Sequence, residues 1–228
     1  MPTASDQEFG RVGAVRIRGV LSALEVGSLV GRLEPQISRR AGVRLKVEPE
    51  VAALLAADGA VGRVAAGLIG TEARPVRAVL FDKSPQANWV VAWHQDRTIP
   101  IRERHEVQGF GPWSTKDGIL HVAPPLSVLD GMVTLRLHLD PVDTGNAPLI
   151  VALGSHQFGY VPADLAAERA AACDFLTCEA EPGDVWAYST PILHMSARST
   201  GDRRRRVLQI DYAATTLPAP LEWRGIGA

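Results

Sequence analysis

From Pro75 to Tyr212 the chain reads as a succession of short strand-like runs, at 76–81, 88–94, 132–139, 149–153, 184–188 and 206–212, broken by Pro, Gly, Asn and Asp. Runs this short cannot bury enough surface singly. They must pair into sheets that cover one another, and many such strands at modest spacing point to a barrel or jelly roll. Upstream of Pro75 the texture differs. Residues 14–18 alternate apolar and polar as a half-buried strand does. Ser22 with Glu25 three residues later makes a capping box, and behind it Leu24, Val26, Leu29, Val30 and Leu33 recur at helical spacing. Alanine- and leucine-rich segments at 51–57 and 60–68 add two more helices. Helices first and strands afterwards predict an α+β, mainly β, fold: a double-layered β-core with flanking N-terminal helices. One further helix is expected at 162–172. The stretch 100–129 has no clean period and is read as a lid or substrate loop. Residues 1–10 read as a loose arm and 213–228 as a C-terminal tail. The expected organisation is one domain over 1–228, divided into 1–74, a core over 75–212, and the tail.

Composition narrows the function classes. At 228 residues and 46% hydrophobic content, one sizeable core is affordable. A net charge of −1 argues against nucleic-acid binding. No apolar stretch nears twenty residues, so no membrane association is expected. The start of the chain lacks a basic segment followed by an apolar one, and Cys173 and Cys178 are too few for a disulfide framework. A cytoplasmic protein with free thiols is the expectation; oligomeric state is not readable. The run Arg203 to Arg206 is the one dense basic segment, and for most of its members a solvated strand edge is expected.

The chemistry concentrates in Trp93-His94-Gln95-Asp96. Side chains two apart on a strand share a face and lie roughly 6–7 Å apart along it, so His94 and Asp96 can reach one cation. His194, a hundred positions later in Ile192-Leu193-His194-Met195-Ser196, supplies a third ligand. Two histidines and a carboxylate on one face of an octahedral metal form the triad of non-haem Fe(II) oxygenases, with three positions left open. A 2-oxo acid takes two of these and O2 the last. Its far carboxylate needs a cation, and Arg205 lies eleven residues after His194. A guanidinium pairs with a carboxylate through two parallel hydrogen bonds. On that run Arg205, Val207, Gln209 and Asp211 share one face and Arg206, Leu208, Ile210 and Tyr212 the other. The second is the more apolar and should pack on helices, leaving Arg205 inward.

Together with Phe81-Asp82-Lys83-Ser84-Pro85, Asn88-Trp89, Asn146-Ala147-Pro148-Leu149, Gly154-Ser155-His156 and Glu181-Pro182-Gly183-Asp184, these motifs fall in the order found in phytanoyl-CoA dioxygenase-like Fe(II)/2-oxoglutarate oxygenases. The chain resembles that family over roughly residues 10 to 212. The resemblance implies a double-stranded β-helix (a jelly-roll, cupin-like barrel), iron on His94, Asp96 and His194, and 2-oxoglutarate anchored by Arg205. Ala147 stands where the family usually has Gly, and Leu153 where it has Pro. Both fall in turn segments that the sequence places away from the ligands. Related halogenases carry a small residue in place of the carboxylate; Asp96 fills that position and favours hydroxylation.

Secondary candidates follow from strand parity. Thr134, Arg136 and His138 share a face opposite Leu135, Leu137 and Leu139, and either contact the cosubstrate or lie on a solvated sheet face. Lys83, Gln86 and Asn88 precede the His94 strand and are placed at the pocket mouth, Lys83 suiting an anionic group. Ser196, two beyond His194, is a candidate support for a cosubstrate carboxylate. His105, Trp113 and His121 lie on the long loop, in contact with substrate or on the surface. His156 is read as holding its turn, and Trp89 and Trp93 as core aromatics. The functional expectation is a dioxygenase that couples decarboxylation of 2-oxoglutarate, giving succinate and CO2, to hydroxylation or another oxidation of a C–H bond in a small molecule. The alternatives are a non-redox cupin-like metalloenzyme (an isomerase or lyase) and a metal-binding sensor. The first gives Arg205 no special task, and intact ligands at all three positions argue against the second.

Overall fold

The structure, a computed structural model, describes residues 4–37, 42–45 and 47–227. It opens with helix α1 (Ala4–Val12) and strand β1 (Ala14–Ile17), then α2 (Ala23–Leu33), β2 (Gly42–Arg44), α3 (Pro49–Leu55) and α4 (Gly62–Ile69). Next come β3 (Arg74–Lys83), β4 (Val91–His94), β5 (Ile99–Pro100), β6 (Trp113–Lys116), β7 (Ile119–Val122), α5 (Leu126–Asp130) and β8 (Met132–His138). The chain ends through β9 (Leu149–Ala152), α6 (Ala166–Ala171), β10 (Phe175–Cys178), β11 (Val185–Ser189), β12 (His194–Ser196) and β13 (Arg205–Ala213). All pairings between these strands are antiparallel. The large sheet runs β1-β11-β8-β13-β3-β2, the smaller one β10-β9-β12-β4, and a third joins β5-β7-β6. This is the mainly β, double-stranded β-helix arrangement expected from the sequence, and no sheet closes on itself among the described residues.

Parity explains how the layers form. On β8 and β13, Leu135, Leu137, Leu208, Ile210 and Tyr212 are buried in one cluster with Val26, Leu29 and Leu33 of α2 and Val51 and Leu55 of α3. Each such aliphatic side chain contributes about 1.5–3 kcal/mol on burial, so the helices are held mainly by this face. The Tyr212 hydroxyl donates to the Leu55 carbonyl at 2.9 Å, which removes the cost of burying it. The opposite face of the large sheet meets the smaller one through Trp186, Tyr188, Leu149, Val151 and Ile192. Helix α2 begins with the capping box expected of Ser22 and Glu25.

Four local expectations are corrected. Residues 4–12 are helical rather than a loose arm; Phe9 packs on the helix–sheet core, and His156 lies so close over Gly13 (φ +79°) that a Cβ there would fall 2.4 Å from its ring. Its Nε2 also lies 3.1 Å from the Gly10 carbonyl, so His156 holds its turn as expected. The stretch 100–129 is not irregular: it contains the β6–β7 hairpin and α5, whose period was too short to register. The strand expected from residue 88 starts only at Val91. The arginine run is not a free edge. Arg203 pairs with Asp143, Arg204 with Asp82 and Glu34, and Arg206 with Asp140 and Glu34. Cys173 and Cys178 are free thiols, and no helix among the described residues is long and apolar enough to cross a membrane.

Asp184 ties β1 to the turn entering β11. It accepts from Arg16 Nε at 3.0 Å and from the Gly19 and Glu181 backbone N–H groups at 2.8 and 3.0 Å. Burial alone raises its pKa, but the hydrogen bonds from Arg16, Glu181 and Gly19 outweigh it, and the net shift is downward. A depressed folded-state pKa means stabilisation that is complete above the unfolded value, about pH 4, and lost as pH falls through the folded one. Asp184→Ala should therefore cost about 2 kcal/mol at pH 7, read as a lowered denaturant midpoint. The gap from wild type should narrow as the pH is taken below about 4.

Candidate metal centre and its pocket

Between the two sheets, the end of β4 and the start of β12 lie side by side, His94 paired in register with His194. Asp96 follows two residues after the strand ends. One donor atom from each of His94, Asp96 and His194 falls within 4.8 Å of the others, the spacing required of ligands around one cation. Gln95 points the other way. Its Nε2 donates to the Gly159 and Pro191 carbonyls at 2.9 and 2.8 Å, and its Oε1 accepts from the Val161 N–H at 3.0 Å. The residue between the two ligands thus pins the segment that carries them.

The histidine tautomers follow from the backbone. His94 Nδ1 lies 2.8 Å from the Ala92 carbonyl and His194 Nδ1 3.0 Å from the Ile192 carbonyl. A carbonyl can only accept, so each Nδ1 carries a proton and each Nε2 keeps a lone pair for a metal. The rings sit 4.2 Å apart between centroids. Burial, and then the neighbouring His94, push the His194 pKa down to about 4, so it is neutral near pH 7. For Asp96 burial acts upward, but Arg77, His194 and His94 outweigh it and hold the carboxyl ionised. Two imidazoles and one carboxylate are the donor set that a divalent iron takes.

Beside this cluster is a cavity of about 180 Å³, lined by Phe81, Trp89, Val91, Leu149, Arg136 and Arg205 among others, with His94, Asp96 and His194 at one side. Strand pairing sets Arg205 opposite Lys83, and Gln209 opposite Arg136. Lys83 Nζ donates to the carbonyls of Trp89 and Ala197 at 2.9 and 2.6 Å and to Ser196 Oγ at 3.2 Å. Arg136 donates to Gln209 Oε1 at 2.7 Å, and Arg205 to the Ala147 carbonyl. Among the described residues no carboxylate pairs with Lys83, Arg136 or Arg205. Three buried cations without a counter-charge are costly, each ion losing several kcal/mol of hydration. The strain shows in the pKa values. Burial, then Arg205 and Arg136, lower Lys83 to about 7; burial, then Arg136, lower Arg205 to about 9. Arg136 Nε, Arg205 Nε and both ring nitrogens of His138 are buried without a hydrogen-bond partner. Orphaned donors next to uncompensated positive charge are the signature of a missing anion.

Most residues singled out in the sequence meet here, with some corrections. Lys83 is 1% exposed and lies in the interior rather than at the mouth; Asn88 instead holds the loop at Ser199. Thr134, Arg136 and His138 face the interior and are buried, so the solvated-face alternative fails. Thr134 does not line the cavity, because its hydroxyl is engaged by Asp211 and Thr190 at 3.1 Å each. Ser196 does line it. Trp89 is a wall of the pocket with Lys83 Nζ 5.0 Å over its ring, whereas Trp93 packs against Phe175. His121 is buried on β7 and Trp113 lies under Arg104, so neither stands free on the surface. The turn at Ala147 is not remote from the site either. Ala147 adopts φ +58°, where Gly is at ease and an L side chain is strained, and its carbonyl is the one held by Arg205 and Ser196. Arg77 and Gln209 were missed. Arg77 shares the face of Lys83 by strand parity, and that parity was the available signal.

Comparison with known proteins agrees with this geometry. No curated protein sequence matches the chain significantly. Among solved structures, EctD from S. alaskensis in its apoform aligns at TM-score 0.69 and 19% identity, over 100% of this chain and 85% of that one. The non-heme alpha ketoglutarate dependent carbocyclase SnoK from nogalamycin biosynthesis aligns at TM-score 0.68 and 17% identity, over 93% and 84%. The epimerase SnoN in complex with Fe3+, alpha ketoglutarate and nogalamycin RO aligns at TM-score 0.66 and 16% identity, over 98% and 86%. At these identities the likeness is one of fold. The family model described as phytanoyl-CoA dioxygenase (PhyH) matches residues 9–207. Fe(II), 2-oxoglutarate and O2 are the cofactors of that family, and the donor set and orphaned cations described above fit them. The chain therefore belongs to the phytanoyl-CoA dioxygenase family.

Proposed function

We propose that this protein is an Fe(II)- and 2-oxoglutarate-dependent oxygenase that oxidises a C–H bond of a small molecule, with hydroxylation as the outcome. The observation that carries the reading is the pairing of a three-ligand cluster with buried cations that lack a counter-charge, on two walls of one cavity. His94, Asp96 and His194 would hold iron. Arg205 would take the distal carboxylate of 2-oxoglutarate through its guanidinium, with Lys83 and Ser196 beside it and Arg136 adding positive charge on the same wall. Iron, when bound, supplies the redox chemistry that links loss of CO2 from 2-oxoglutarate to oxidation of the substrate. The chain's own part is to orient and to exclude water, and Phe81, Trp89, Val91 and Leu149 make the cavity wall apolar for this. Asp96 in the carboxylate position favours hydroxylation over halogenation. The structural neighbours include a carbocyclase and an epimerase, so the same fold hosts several outcomes. The small size of the cavity suits a small-molecule substrate.

Anaerobically Fe(II)-loaded protein given 2-oxoglutarate and then air should form succinate. His94→Ala should abolish it, and Arg205→Ala should raise the 2-oxoglutarate concentration needed by about 100-fold, the loss of two charge-assisted hydrogen bonds. Absence of both succinate and 2-oxoglutarate binding would return the chain to the non-redox metalloenzyme reading.

Lys83 adds a pH dependence. Its ammonium pKa near 7 means that it loses its charge as pH rises, while Arg205, pulled down only to about 9, keeps most of its own. The dissociation constant for 2-oxoglutarate should rise above pH 7, by up to about tenfold per unit. Lys83→Met should weaken binding at pH 6 and flatten the profile. A wild-type affinity that does not change between pH 6 and 8.5 would remove Lys83 from the anion site.

A further inference from the structure

On the side of the ligand cluster facing the large sheet, a second polar group has no task in the function just proposed. Arg77 of β3 contacts Asp211 Oδ2 from Nε at 2.5 Å and reaches Asp96 Oδ2 from Nη2 at 3.4 Å. Gln209 of β13 donates from Nε2 to that same Asp96 oxygen at 3.4 Å, while its Oε1 accepts from Arg136 at 2.7 Å and from the Tyr188 hydroxyl at 3.4 Å. Asp211 Oδ1 accepts from Thr134 at 3.1 Å. Gln209 and Asp211 are buried, and the Arg77 side chain is 11% exposed.

Two features make this more than a structural ion pair. Both donors converge on one carboxylate oxygen of Asp96, and Oδ1 has no hydrogen-bond partner among the described residues. A buried ion pair alone is poor value for stability, since apolar residues of similar volume usually do as well.

We infer that Arg77 and Gln209 clamp Asp96 Oδ2, so that Asp96 gives a metal one oxygen only, with Asp211 holding Arg77 in place. Denticity matters because three single-atom ligands leave three of six octahedral positions open. A carboxylate swung to coordinate through both oxygens would close one of the three that a chelating 2-oxo acid and O2 together require. Arg77 and Gln209 are thus positioning residues, acting through Asp96. The inference rests on the metal centre of the proposed function.

Co(II) added anaerobically to the metal-free full-length chain tests it, through binding affinity and through water-proton relaxation, which counts the exchangeable waters on the ion's open positions. In the double variant Arg77→Met/Asp211→Leu both buried charges are removed, so neither is orphaned. It should bind Co(II) 10- to 100-fold more weakly, the usual cost of losing an outer-shell partner. Its relaxivity per bound ion should fall, because the second carboxylate oxygen displaces one water. Gln209→Met should move both readouts the same way by a smaller factor. Thermal unfolding of the metal-free proteins reports folding separately; should the double variant not fold, Gln209→Met decides. Wild-type affinity and wild-type relaxivity in the folded variants would overturn the clamp and leave the metal centre standing. Failure of the wild type itself to bind Co(II), with His94→Ala indistinguishable from it, would overturn the metal centre and the clamp together.

Discussion

Leu135, Leu137, Leu208 and Ile210 lie under the N-terminal helices, and because side chains alternate along a strand, their burial obliges Thr134, Arg136, Gln209 and Asp211 to face the other way. The polar interior of the site is the reverse side of a conventional hydrophobic face. A one-residue slip in β8 or β13 would turn leucines into the pocket and arginines under the helices, so the register is held by the free energy of the whole helix–sheet cluster. Positive charge can be buried in the pocket because that cluster on the opposite face fixes where it must lie.

From this constraint one strand serves three purposes. Along β13 the inward positions present Arg205 beside Lys83, Gln209 between Arg136 and Asp96, and Asp211 against Arg77. The smaller sheet contributes two of the proposed ligands, His94 and His194 in register on β4 and β12. The two sheets thus divide the work, one carrying the metal donors and the other the charges that would hold an anion and orient Asp96. The electrostatics agree. The Lys83 and Arg205 pKa values are pulled down toward 7 and 9 by burial and by neighbouring arginines, which an incoming dianion would relieve.

Much of this was legible in the sequence, for reasons that can be named. Period-two alternation placed Arg205 inward and put Arg136 and His138 on one face, though not which way that face looked, and the Ser22–Glu25 spacing marked the start of α2, because both signals are local. The candidate ligand set was legible because His94 and Asp96 stand two apart in one run and His194 follows in the right texture, although the strand itself ends at His94. What escaped depended on partners distant in sequence. Arg77 meets Asp211 only through the β3–β13 pairing, and Ala147 meets Arg205 through its backbone carbonyl, which no side-chain pattern reveals. The β6–β7 hairpin, with four residues per strand, was too short for its alternation to stand out. Lys83 was placed at the rim because the strand was expected to end before it; β3 in fact runs to Lys83 and carries it inside.

The central claim is that the ligand triad and the cation wall form one site for a single chelating dicarboxylate. Equilibrium binding of 2-oxoglutarate under anaerobic conditions, measured with and without Fe(II), tests it most directly. A shared site predicts strong coupling: iron and 2-oxoglutarate should each tighten the other by the same factor, and His94→Ala should abolish that coupling while Arg205 still gives weak metal-independent binding. An affinity for 2-oxoglutarate that is the same with and without iron would mean that the cations and the triad serve different ligands, and would contradict the account.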